Sequence, residues 1–216
     1  KECNDKANKL FDKPLKLKDD ELINFKMNLI ETNVKEFKTG KCKEGDKETL
    51  TKVDNNLKTL KDKKEKAKQN IEKICKDEIN KLFSEPLKLT GLKLISFNID
   101  DFKKKTEELK KNKCKNNKNL QEDINKNLKT LIDKKKSEID KLKKECSDKA
   151  NKLFDKPLKL KDDELINFKM NFIETNVKEF KNGKCKDGNK ETLTKVDNNL
   201  KTLKDKKGKA KQNIEK

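Results

Sequence analysis

The side chains of this chain that could do chemistry are thiols, amines and carboxylates. The sequence contains 6 cysteines and 40 acidic residues, and all 59 of its basic residues are lysine. It contains no histidine, arginine, tryptophan or tyrosine. The missing histidines remove the commonest general base and metal ligand. The missing arginines remove the side chain best suited to bidentate binding of phosphate or guanine.

The cysteines fall into three pairs with equal spacing inside each pair. The pairs are Cys3 and Cys42, Cys75 and Cys114, and Cys146 and Cys185. The interval between neighbouring pairs changes by one residue, whereas the interval inside a pair does not. Of the fifteen pairings that six cysteines allow, we therefore predict one disulfide inside each pair. Metal binding is disfavoured because the sequence has no CxxC motif and no histidine, so no metal and no cofactor are expected.

The cysteine pairs also bear on the compartment in which the chain works. Structural disulfides are typical of oxidising compartments, so we predict a secreted or otherwise extracellular protein. The competing interpretation is a cytosolic helical protein with six buried free thiols. No stretch approaches the roughly 18 to 20 consecutive apolar residues of a membrane-spanning helix, so no membrane span is expected.

The carboxylates form no recognisable catalytic pair. Asp19, Asp20 and Glu21 lie at the start of a predicted helix, where acidic side chains stabilise the free amide groups. No glycine-rich phosphate loop and no EF-hand spacing occur. An enzyme is therefore not predicted.

A cluster of lysines recurs three times along the chain. The candidate polyanion-binding residues are Lys61, Lys63, Lys64, Lys66 and Lys68 in the first cluster, Lys134, Lys135 and Lys136 in the second, and Lys204, Lys206, Lys207, Lys209 and Lys211 in the third. We call Lys64, Lys135 and Lys207 the seam lysines, because each occupies a position that continues an apolar helical stripe. Such a lysine usually lays its stem along the core and extends its ammonium group to water.

The alternative is that the clusters form a multivalent basic surface. The net charge of +19 is compatible with a polyanion as the partner. Lysine without arginine neutralises anionic groups but reads bases poorly, so sequence-specific nucleic-acid binding is not expected. A glycosaminoglycan, another anionic extracellular polymer or an anionic surface would fit an extracellular location better.

These residues recur because the chain is built from copies of one sequence unit. Residues 1–73 match residues 144–216 except at a few positions, and "LFDKPLKLKDDELINFKMN" is identical at 10–28 and 153–171. The looser "LFSEPLKLTGLKLISFNID" lies between them. We predict three repeats, namely a first copy (1–74), a diverged middle copy (75–145) and a third copy (146–216). Further copies in a longer chain are also expected.

Hydrophobic periodicity predicts the helices within a copy. The stripe from Ile23 to Phe37 predicts one amphipathic helix over residues 19–38. No proline or glycine interrupts residues 47–83, so a helix there could run into the next copy, although a bend is equally allowed. Asp46 and its counterpart Asn189 are predicted N-caps.

Two further expectations concern the first half of a copy. Pro14 disfavours helix at Lys13, so "DKPLKLK" is predicted to form an extended leg that lets the cysteines of one copy meet. Leu29 is replaced by Phe172 in the third copy, and this conservation of a large apolar side chain predicts a buried position. The arrangement resembles the three-helix arrays of spectrin in architecture.

The sequence thus predicts an all-α, elongated tandem array of three disulfide-stapled three-helix repeats, in a spectrin-like or solenoid arrangement. The predicted function is that of a secreted, non-enzymatic scaffold or interaction module whose partner is another protein or an anionic extracellular polymer. One alternative is a multivalent polyanion binder. Another is a carrier of small apolar ligands in a cavity between helices.

Overall fold

Every regular element in the described part of the chain is helical, which confirms the all-α prediction. The structure is a computed structural model that describes residues 1–44, 47–186 and 189–214. The α-helices are α1 (Glu2–Asp12), α2 (Asp19–Asn24), α3 (Met27–Thr39), α4 (Lys47–Phe83), α5 (Gly91–Ser96), α6 (Ile99–Lys111), α7 (Lys118–Asp155), α8 (Asp162–Asn167), α9 (Met170–Asn182) and α10 (Lys190–Ile214). Short 3-10 helices cover Pro14–Lys16, Pro86–Lys88 and Pro157–Lys159.

The long helices cross from one copy into the next without a bend large enough to end them. Helix α4 has 37 residues and α7 has 38. The bounds of α4 are those that the uninterrupted apolar stripe predicts. Asn189 caps α10, because its side-chain oxygen accepts the amide hydrogen of Glu191 at 3.1 Å. The corresponding Asp46 lies outside the described residues.

The chain folds into two compact units, of which the first comprises residues 1–87 and 99–128. Its main core is formed where α1, α2 and α3 pack on α4. The buried residues of this core are Ala7, Phe11, Leu22, Ile30, Val34, Val53, Leu60 and Ala67. In the same unit the rings of Phe83 and Phe102 meet edge to face, with centroids 5.1 Å apart.

The second unit comprises residues 88–98 and the chain from Lys129 onward. Its core is formed where α7, α8 and α9 meet α10. The buried residues are Leu142, Cys146, Ala150, Phe154, Leu165, Ile173, Val177, Phe180, Cys185, Val196, Leu203 and Ala210. The first and third copies therefore use the same apolar positions for their cores.

The predicted helix over residues 19–38 is wrong as a single element. The chain leaves the helical conformation at Phe25, where φ is −67° and ψ is 129°, and α3 begins at Met27. The amide of Phe25 donates to the carbonyl of Leu22 at 3.2 Å, which closes α2 as a tight turn. The same break occurs at Phe97 and Phe168. The apolar stripe continues across the break, so periodicity alone does not reveal it.

The predicted extended leg is also wrong for most of its length. Lys13 remains in the right-handed helical region with ψ of −51°, and Pro14 begins the 3-10 helix. A proline is tolerated at the first position of a helix because its missing amide hydrogen would have no helical partner there. Only Leu17 and Lys18 are extended before α2 begins.

The position of Leu29 and Phe172 is exposed rather than buried. Their side chains are 60% and 66% exposed, respectively. Because α3 presents Ile30 and Val34 to the core, the preceding residue lies about 100° around the helix from Ile30 and faces outward. The retained large apolar residue therefore does not mark a core position.

The start of the second helix in the middle copy has hydrogen bonds that differ from those of the outer copies. Gly91, the first residue of α5, adopts a φ of +54° that a side-chain-bearing residue rarely adopts, and its amide donates to a carboxylate oxygen of Glu138 at 3.1 Å. The Lys141 ammonium also binds Glu138, at 2.9 Å. The bond from Lys141 and the weaker one from Gly91 hold the pKa of Glu138 below its ordinary value.

This lowered pKa predicts a pH dependence of stability. A carboxylate whose pKa is lower in the folded state stabilises the fold above its unfolded pKa, and the contribution disappears as pH falls through the folded pKa. We therefore expect Glu138→Gln to lower the free energy of unfolding at neutral pH. The difference from the unsubstituted chain should vanish by about pH 3, well below the ordinary Glu pKa of about 4.3. Urea unfolding at both pH values checks this, and a difference that does not change with pH would contradict it.

Candidate functional site

Each copy is closed by one disulfide. Cys3 bonds to Cys42, Cys75 to Cys114 and Cys146 to Cys185, and each pair is separated by 39 residues. The Cα atoms of the three pairs lie 5.7, 5.3 and 5.7 Å apart, in the usual range for a disulfide. These are the pairs that the equal spacing predicts. None of the cysteines is left as a free thiol.

The position of the disulfides explains what they do for the fold. The bond between Cys3 and Cys42 joins the first turn of α1 to the turn that follows α3. Cys75 and Cys146 lie in the interior of α4 and α7, and their bonds join these helices to the turns that follow α6 and α9. All the cysteines are therefore used in cross-links and offer no thiolate. Across the described ranges, no group of His, Cys, Asp and Glu side chains is arranged to hold a metal ion.

The seam lysines turn inward to the backbone. The ammonium group of Lys64 donates to the carbonyl of Phe25, Lys135 donates to Phe97 at 2.6 Å, and Lys207 donates to Phe168 at 2.5 Å. We call these three acceptors the break carbonyls, because each lies at the point where the second helix of a copy is interrupted. The seam lysines are half-buried, and each binds a main-chain oxygen of its own copy that the sequence did not predict.

The inward position of Lys64 removes part of the water around its ammonium group. Partial burial lowers the pKa of Lys64, and the nearby positive charge of Lys68 lowers it further. The hydrogen bond to the carbonyl of Phe25 offsets part of that desolvation, because a charged donor makes a stronger bond than a neutral one. Lys64 thus braces the break.

Neighbouring lysines make similar contacts in the outer copies. Lys63 donates to the carbonyl of Leu15 at 2.9 Å, within the 3-10 helix. In the third copy Lys206 makes the same bond to Leu158 at 2.8 Å. These lysines therefore hold the 3-10 helix of their own copy against the long helix that follows.

Ion pairs use a further lysine of each outer cluster. Lys61 pairs with Glu31 at 2.6 Å, and Lys204 pairs with Glu174 at the same distance. These pairs link α4 to α3 and α10 to α9. In the middle copy Lys134 lies near enough to Glu138 to lower the pKa of that carboxylate.

The remaining candidate lysines face solvent. They are Lys66, Lys68, Lys136, Lys209 and Lys211. Lys68 makes an exposed ion pair with Glu65 at 3.6 Å, a type of contact that contributes little to stability. Lys61, Lys63, Lys134, Lys204 and Lys206 are also exposed although they contact groups of their own copy, so among the predicted polyanion-binding residues only the seam lysines are half-buried.

The break carbonyls are the partners that sequence reasoning missed. A signal for them was present, because a lysine occupies the same seam position in every copy and a phenylalanine occupies the same position in every second helix. The pairing could not be read from side-chain types, since the acceptor is a main-chain oxygen.

The acidic residues at the start of α2 serve the helix end, as predicted. The carboxylate of Glu21 accepts the amide hydrogen of Lys18 at 3.0 Å, and Glu164 accepts that of Lys161 at 3.1 Å. Each bond satisfies an amide group at the entry to its helix.

Comparison with known proteins finds no relative. No family model matches the chain, and no curated protein or solved structure shows significant similarity to it. None of the described helices combines the length and the apolar composition needed to cross a membrane.

Proposed function

We propose that this chain is an extracellular, non-enzymatic repeat protein that serves as a scaffold or interaction module. The observation that carries the proposal is the use of the same brace in all three copies, where a seam lysine binds a break carbonyl. A contact that recurs in every copy is typical of the structure of the repeat, whereas a catalytic site needs to be present only once.

The disulfides support the extracellular part of the proposal. A bond inside every copy is typical of chains that fold in an oxidising compartment. Such bonds also compensate for the low apolar content of the chain, of which only 30% of residues are hydrophobic.

The role of the lysines favours a scaffold over a polyanion binder. In the first cluster Lys61, Lys63 and Lys64 already bind groups of their own copy. These lysines therefore have a structural role in their own copy, and the high lysine content is explained in part without an external polyanion.

We further propose that the copies stack into an elongated tandem array, in which α2 and α3 together take the place of the single second helix of the predicted three-helix repeat. In such arrays each copy contacts only its neighbours, so that stability is a sum of terms for the copies and for their junctions. Small-angle X-ray scattering on the oxidised protein tests this arrangement. We expect a rod-like particle with a long tail in its pair-distance distribution, and the reduced and alkylated protein serves as the unfolded control. A compact globule would contradict the proposal.

A further inference from the structure

A surface pocket of about 370 Å³ lies within the first unit, next to the disulfide loop of the middle copy. One side is formed by Ile71 and Ile74 of α4 and by Asp20 of α2. The other side is formed by the last residue of α6 and the loop that follows it, together called the 111–116 loop, which contributes three lysines and two asparagines. The pocket therefore has one aliphatic side, here called the floor, and one basic side, here called the rim.

Comparison of the copies shows why this rim is basic. The residue before the first cysteine is Glu2 in the first copy and Glu145 in the third, but Ile74 in the middle copy. Glu145 pairs with Lys184 at 2.7 Å. The counterpart of Lys184 is Lys113, whose neighbour at this position is an isoleucine with 47% of its surface exposed. In the first copy Glu2 pairs instead with Lys6 at 2.8 Å. Relative to the third copy, the middle copy has thus replaced an acidic partner with an exposed apolar side chain.

The lysines of the rim have no acidic partner in the described part of the chain. Lys111, Lys113 and Lys115 are all exposed, and no carboxylate of a described residue lies within ion-pair distance of their ammonium groups. Asp20 supplies the only negative charge among the described lining residues. A concave surface with this excess of positive charge attracts carboxylates.

The 111–116 loop is held in place by bonds at its centre. Cys114 is cross-linked to Cys75, and its amide donates to the carbonyl of Leu109 at 3.0 Å. The side-chain amide of Gln121 donates to the carbonyl of Cys114 at 2.9 Å. A loop that is ordered before binding loses little conformational entropy when a partner docks.

We propose that this pocket binds an acidic peptide segment of a partner protein, with an aliphatic side chain of the peptide on Ile71 and Ile74. The aliphatic floor favours a peptide over a sulfated polysaccharide, because a sugar sulfate gains nothing from contact with isoleucine. This inference rests on the proposed function, since it names the chemistry of a partner for the interaction module.

The test uses the full chain and a short fluorescent peptide in which a leucine is flanked by glutamates. Ile74→Glu restores the residue of the other copies, so it should fold normally and pair with Lys113. We expect it to weaken peptide binding by about tenfold or more. Ile74→Ser removes the apolar contact without adding charge and should weaken binding about fivefold.

The matched control is Asn55→Glu, which makes the same change of charge on an exposed face of α4 that does not line the pocket. Binding to this variant should stay within about twofold of the unsubstituted chain, since exposed charges beyond about 10 Å are screened. An equal loss in the control would overturn the proposal in favour of non-specific attraction. A heparin fragment that binds more tightly than the peptide and is insensitive to Ile74→Ser would overturn it in favour of a polysaccharide site.

Scattering on the same samples separates the two proposals. A rod-like particle that does not bind the peptide refutes the pocket alone. A compact particle that binds the peptide, with the expected loss in Ile74→Glu, refutes the elongated scaffold and leaves the pocket intact.

Discussion

Replacing Cys75 and Cys114 together with alanine is expected to lower the free energy of unfolding of the first unit by about 4 kcal/mol. The bond closes a loop between residues separated by 39 positions, and its loss enlarges the conformational freedom of the unfolded chain. Both sulfur-bearing side chains are buried, so the substitution also removes packing from the interior. Urea unfolding followed by circular dichroism measures the change, and the double substitution leaves no unpaired thiol.

A matched control changes exposed residues on α4, which carries Cys75, and on α6, which precedes Cys114. Lys73→Ala combined with Lys105→Ala should change the free energy of unfolding by about 0.5 kcal/mol or less. A loss below about 1 kcal/mol in the cysteine variant would mean that the unfolded chain is already restricted without the bond.

Replacing Lys64 with methionine is expected to lower the free energy of unfolding by about 2 kcal/mol. Methionine keeps an unbranched stem of similar length but has no donor, so the carbonyl of Phe25 loses its charged partner. The break between α2 and α3 should loosen as well. Hydrogen exchange at the amides of residues 22–29 should therefore accelerate more than exchange elsewhere in the first unit.

Lys66→Met is the control for this prediction, because Lys66 lies two positions away on the same helix and is exposed. It should leave stability and exchange nearly unchanged. A neutral or stabilising effect of Lys64→Met would show that the cost of burying the amine cancels its bond to the carbonyl. The brace would then have no stabilising role.

The long helices were the part of the fold that the sequence predicted best. The bounds of α4 at Lys47 and Phe83 follow from an apolar stripe with no proline or glycine in it. The break at Phe25 could not be predicted in this way, because its partner Lys64 is 39 residues away. Local periodicity carries no information about a bond of that range.

The exposed position of Leu29 and Phe172 shows a second limit of sequence patterns. A large apolar side chain is kept at this position in both outer copies, but its retention does not distinguish burial from other reasons for keeping it. Only the orientation of α3, which is set by the break, places this position on the surface. The disulfides, in contrast, follow from spacing alone. The number of residues between the two cysteines is the same in every pair, whereas the number between neighbouring pairs varies.

The candidate site was predicted in part. The sequence identifies the lysine clusters and the unusual seam position, but the acceptors of the seam lysines are main-chain oxygens. Side-chain types do not reveal such acceptors, so the bracing role required the structure. The pocket beside Ile74 also depends on tertiary structure, because α2, α4 and the 111–116 loop meet only in the folded unit.

The central claim is that each copy is a unit closed by its own disulfide, and peptide mapping of the non-reduced protein tests it most directly. Protein secreted from cells without refolding should yield three cross-linked peptide pairs after proteolysis, joining Cys3 to Cys42, Cys75 to Cys114 and Cys146 to Cys185. Cross-links between copies, or six thiols that alkylate without reduction, would contradict the account.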